Sequence, residues 1–94
     1  MLFRSRVLVA EDHPVNRMYL AALLTRLGHE VRLVDNGLLA LQAVQDTAPP
    51  SAFDLVLMDV HMPVMDGVAA TQAIRTLPGP AGNVCVVADR KSVV

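Results

Sequence analysis

Hydrophobic positions along the chain fall into short unbroken runs separated by stretches of helical spacing. Val7-Leu8-Val9-Ala10 is continuous and ends abruptly in Glu11-Asp12, and Leu55-Val56-Leu57-Met58 ends the same way at Asp59. Runs of this kind fit strands buried on both faces, as in a parallel sheet. Glu30 to Val34 instead alternates polar and apolar, as an edge strand with one wetter face does, and Val84 to Ala88 is a third continuous run. Between these segments, Pro14 suits a first helical turn. Leu20, Leu23, Leu24 and Leu27 then recur at three- and four-residue spacing before Gly28 closes the helix. Asn36-Gly37 makes a turn, followed by a shorter stripe of Leu38, Leu41 and Val44. Asp66-Gly67 opens a third helix carrying Ala70, Ile74 and Leu77. The order β-α-β-α-β-α-β predicts an α/β domain with a parallel sheet and right-handed crossovers.

Composition narrows this picture. A chain of 94 residues makes one small domain. Its Pro- and Gly-rich stretches "APPS" and "LPGPAG" read as loops rather than boundaries. With 53% hydrophobic but only 3% aromatic residues, the core must come from Val, Leu, Ile, Ala and Met. A net charge of −1 argues against nucleic acid or an anionic membrane as the main partner, since both call for a basic surplus. Cys85 is the single cysteine, which rules out an internal disulfide framework or a cysteine zinc site; it reads as a small buried apolar residue. The apolar run near the N-terminus is too short for a signal peptide, and no stretch approaches the roughly 18 apolar residues of a membrane span. The expectation is a soluble, cytoplasmic protein.

The candidate chemistry lies where the apolar runs stop. In a parallel sheet, residues just past the C-terminal strand ends gather on one rim, where α/β sheets bind ligands. If the first and third strands are neighbours, Glu11, Asp12 and Asp59 converge there. Three carboxylates that close raise one another's pKa unless a cation joins them. Oxygen donors without a His or Cys set suit Mg²⁺. An aspartate beside such an ion can attack a phosphoryl group. Spacing alone leaves two readings open: loop residues and helix caps, or a Mg²⁺ or phosphate site.

The stretches "VLVAEDHPVNR", "DNGLLAL" and "LVLMDVHMPVMDG" resemble the receiver domain of two-component response regulators, most closely receivers attached to hybrid sensor histidine kinases. The third is the most specific: an apolar run into Asp59, then Met62-Pro63 and Met65-Asp66-Gly67. The resemblance implies a flavodoxin-like doubly wound parallel sheet. It also implies that Asp59 accepts a phosphoryl group from a phosphohistidine on a histidine kinase or histidine phosphotransfer domain. Glu11, Asp12, Asp59 and the main-chain carbonyl of His61 would hold Mg²⁺, or another divalent ion such as Mn²⁺. Met62, Pro63, Asp66 and Gly67 would shape the loop after Asp59. The module is a phosphoacceptor rather than an enzyme. His13 and His29 read as surface residues, and Asn16 as shaping the first helix.

The resemblance has a limit near the C-terminus. The family ends its fourth strand with a Thr or Ser and its fifth with a Lys. Here Arg90 stands at the hydroxyl position, and Lys91, the single lysine, comes about twenty residues too early by that family pattern. The expected boundaries are therefore a truncated receiver over residues 6–88, lacking the fourth crossover helix, fifth strand and final helix. Residues 89–94, "DRKSVV", read as a non-native tail similar to a translated sequencing adapter. Phosphoryl acceptance would then be impaired, and the fourth strand would be an apolar edge open to self-association. Two alternatives are a receiver that only binds a partner and a phosphatase with an Asp nucleophile. The second is disfavoured because His61 stands where such an enzyme carries a second Asp.

Overall fold

The computed structural model describes residues 5–47, 52–59, 62 and 64–89. Their order is β1 (Arg6–Ala10), α1 (Pro14–Arg26), β2 (Glu30–Val34), α2 (Gly37–Asp46), β3 (Leu55–Asp59), α3 (Gly67–Arg75), a short 3-10 helix (Gly79–Asn83) and β4 (Cys85–Asp89). The strands form one parallel sheet in the order β2-β1-β3-β4. This is the parallel sheet that the alternation predicted, in the flavodoxin-like arrangement that the resemblance implied. The 3-10 helix occupies the "LPGPAG" stretch expected to be loop, and β4 lies one residue later than the apolar run suggested.

Local chemistry explains the helix boundaries. Pro14 opens α1, and its missing N–H costs nothing at a position without an intrahelical partner. Asn36 caps α2 by accepting the Leu39 N–H at 2.8 Å, and Asp66 caps α3 by accepting the Ala69 N–H at 2.8 Å. Leu77 falls beyond the end of α3 but still packs on the core.

Leu8, Ala10, Val56 and Met58 on one sheet face meet Ala40, Ala43 and Val44 of α2 and Ala70 and Ile74 of α3, with Phe53 closing the cluster. Val7 and Val9 on the other face are equally buried, so β1 is covered on both sides, as its unbroken apolar run requires. Cover thins across the sheet from there. α1 lies over β1 and β2, none of its residues is fully buried, and Leu23 and Leu27 stay exposed despite their helical spacing. On the same face Leu55 and Leu57 are half-buried and Val87 is 47% exposed.

Cys85 is exposed, which corrects its reading as a buried residue. It begins an edge strand and, like Val87, shares the strand face opposite Val86, which packs on the core. His29 is half-buried rather than a free surface residue, with its Nδ1 enclosed, while His13 is exposed as expected. No helix among the described residues is long and apolar enough to cross a membrane.

Val64 has φ 69°, in the left-handed region that a β-branched side chain tolerates poorly, and its side chain is 76% exposed. Its side chain therefore contributes little packing against the strain. Val64→Gly is expected to stabilise the fold by about 1 kcal/mol, a Tm rise of about 4–8 °C by calorimetry. An unchanged or lower Tm would show that this backbone is not strained.

Candidate functional site

Because β1 and β3 are adjacent and in register, with Ala10 opposite Met58, the residues that end them come together. Glu11, Asp12 and Asp59 each offer a carboxylate oxygen, and these oxygens lie within 4.8 Å of one another. Their exposures differ: Asp59 is 6% exposed and Glu11 8%, whereas Asp12 is open to solvent. The predicted convergence of three acids at the C-terminal rim is thus observed.

Each acid is held by its own element. Asp59 is the last residue of β3. Glu11 continues the line of β1 by donating its N–H to the Val34 carbonyl at 3.1 Å. Its Oε2 accepts the His13 N–H at 3.1 Å, and its main-chain oxygen accepts a hydrogen bond from Arg17 Nη1 at 3.3 Å. Arg17 was not singled out from sequence. The only signal was a cation six residues beyond Glu11, one turn into the helix. Asn16 sits exposed on that first turn.

Burial pushes the Glu11 carboxyl above its ordinary value. The His13 N–H opposes that shift, while the neighbouring Asp59 and then Asp12 add to it. A group that protonates more readily in the folded state makes stability fall as pH rises between its unfolded and folded values, because the folded protein binds more protons there. For Glu11 that window opens at 4.5 and extends upward. In metal-free protein, Glu11→Gln is expected to flatten this decline, measured by urea unfolding at a series of pH values. An unchanged slope would rule Glu11 out as its source.

The donor set fits a hard divalent cation: three carboxylates, each offering an oxygen within 4.8 Å of the others. His61 and Pro63 lie outside the described residues. Met62 and Met65 are half-buried against the core, which anchors both ends of the loop leaving β3. Gly67 packs where no side chain fits. A Cβ there would overlap the main-chain oxygen of Asp59 and approach Met58 Cγ at 2.9 Å. The first turn of α3 therefore rests directly on the backbone of the buried aspartate.

A family model described as the response regulator receiver domain matches residues 7–93. The chain is 51% identical over 70 residues to the sensor histidine kinase GacS of Pseudomonas protegens, a match covering 74% of this chain and 7% of that protein. It is 44% identical over 86 residues to the two-component response regulator ORR41 of Oryza sativa subsp. japonica, covering 89% of this chain and 66% of that one. Among solved structures, the receiver domain of the sensor histidine kinase PA1611 from Pseudomonas aeruginosa PAO1 superposes with a TM-score of 0.82 at 34% identity. That superposition covers 92% of this chain and 66% of the other, and the PA1611 structure has a magnesium ion coordinated in its active-site cleft. The chain thus spans only a small part of the sensor kinases it matches.

Proposed function

Since the chain belongs to the response regulator receiver family, we propose that it is a phosphorelay module in which Asp59 accepts a phosphoryl group in the presence of Mg²⁺. The observation that carries this reading is the meeting of Glu11, Asp12 and Asp59 within 4.8 Å at the end of two neighbouring buried strands. Glu11, Asp12 and Asp59 would hold the ion, and the main-chain carbonyl of His61 would be a further donor. Mg²⁺, when bound, supplies positive charge that offsets the carboxylates and the phosphoryl oxygens. An Asp59 carboxylate oxygen attacks phosphorus, the P–N bond to the donor imidazole breaks, and its electron pair returns to the ring nitrogen. The donor is a histidine kinase or a histidine phosphotransfer domain, in the cytoplasm. The module is an acceptor, not an enzyme acting on an external substrate.

Residues 6–88 form the functional unit in this proposal. The test is incubation with a small phosphodonor and Mg²⁺, following label on Asp59. No label on folded wild type would favour a domain that only binds partners.

The β4 edge supports a finer proposal, self-association. Among the described residues β4 pairs with β3 alone, and it is uncharged from Cys85 to Ala88, with Asp89 at its end. The opposite edge, β2, carries Glu30 and Arg32, and Glu30 pairs with Arg6 at 2.6 Å. Uncharged edges invite pairing with another strand, and charged edges resist it. Sedimentation is expected to show mass rising with concentration, and Val87→Lys to return the protein to monomer. A wild type that is monomeric at every concentration would end this proposal.

A further inference from the structure

The loop between β3 and α3 is tied to a third element. The Gly37 N–H at the start of α2 donates to the Met65 carbonyl at 2.9 Å. The approach leaves no room for a side chain: a Cβ on Gly37 would overlap the Met65 oxygen, come within 2.9 Å of its carbonyl carbon and 3.0 Å of the Ala70 Cβ. Val64, immediately before Met65, holds its left-handed φ of 69°. A β-branched residue keeps that conformation only where the flanking structure imposes it. The flanking constraints here are the Gly37–Met65 hydrogen bond and the Asp66 cap, whose Oδ1 accepts the Ala69 N–H at 2.8 Å.

We propose that Gly37 is a positioning residue for the cation site. Its contact with Met65 fixes the residues that open α3, where Gly67 rests on the main chain of Asp59, and so sets where the Asp59 carboxylate sits. This rests on the reading of Glu11, Asp12 and Asp59 as a Mg²⁺ site. Sequence showed Gly37 in an Asn-Gly turn and within the "DNGLLAL" stretch, with nothing to indicate what it touches. Its close approach to a loop nearly thirty residues away arises from tertiary packing of α2 beside α3.

The experiment is Mg²⁺ titration by calorimetry on wild type, Gly37→Ala and Gly82→Ala. Gly82 is a matched control. A Cβ there also overlaps a main-chain oxygen, that of Leu77, but in the 3-10 helix that precedes β4, at the opposite end of the sheet from the acids. Gly37→Ala is expected to weaken Mg²⁺ binding about 10- to 100-fold, the range for residues that orient metal ligands from behind. Gly82→Ala should leave the affinity unchanged while losing comparable stability. Equal effects of the two substitutions would make Gly37 merely structural and overturn the proposal.

A second measurement needs no variant. If the contact and the ion are coupled, the coupling is reciprocal. Saturating Mg²⁺ must then slow hydrogen exchange at the Gly37 N–H more than at the Val84 N–H, which donates to Ala81 at 3.4 Å in the distant 3-10 helix. Equal slowing at both amides would overturn the proposal even if Gly37→Ala does not fold. Absence of any Mg²⁺ binding by wild type would overturn the cation-site reading and this proposal with it. The wild-type titration distinguishes that failure from one confined to Gly37.

Discussion

Asp59→Asn is expected to take up no label from a small phosphodonor in Mg²⁺, under conditions where wild type is labelled and Asp46→Asn behaves like wild type. The substitution changes no volume. It replaces a carboxylate, which is both nucleophile and cation ligand, by an amide that is poor at either task. The control matters because Asp46 is an exposed aspartate at the end of α2, distant in sequence from the acidic cluster. Label that persists on Asp59→Asn would move the acceptor to another acid, with Asp12 and Glu11 first in line because their oxygens share the same cluster. Label lost equally from Asp46→Asn would mean that phosphorylation reports folding rather than the site.

The second large effect concerns the fold. Leu8→Ala is expected to cost about 2–5 kcal/mol, the range for truncating a fully buried leucine and leaving a cavity. Leu8 is 0% exposed, lies in β1 beside both β2 and β3, and packs into the cluster formed with α2 and α3. Domains are stable by only about 5–15 kcal/mol, and one this short buries a smaller share of its surface than most. The loss should therefore bring the urea midpoint close to zero denaturant. Leu23→Ala, made on the exposed part of α1, should shift it little. A small effect at Leu8 would mean that the sheet can repack around a missing side chain, contrary to its burial on both faces.

These two positions belong to one design. The side chains of Leu8 and Val56 are buried in register on adjacent strands, which fixes the alignment of β1 with β3. That alignment puts Glu11 and Asp12 beside Asp59. The cluster is thus assembled by apolar packing below it, at some electrostatic cost. The raised pKa of Glu11 records that cost, and a divalent cation would offset it.

The four strands, the three α-helices and the acids that follow β1 and end β3 were legible in the chain itself. Unbroken runs such as Val7 to Ala10, stopped by a charged residue, carry their meaning locally: each states both its burial and where the burial ends. Asn36 and Asp66 likewise announce the helices they cap, because a cap acts within three residues of itself. Tertiary structure alone decided the rest. Leu23 and Leu27 have core spacing yet stay exposed, and Cys85 faces outward, because cover depends on what packs above a face and not on the residue's own period. Gly37 and Gly67 look like ordinary turn and helix-start glycines. Only the packed fold shows that Met65 and Asp59 leave no space for a Cβ at either, since those approaches join segments separated along the chain.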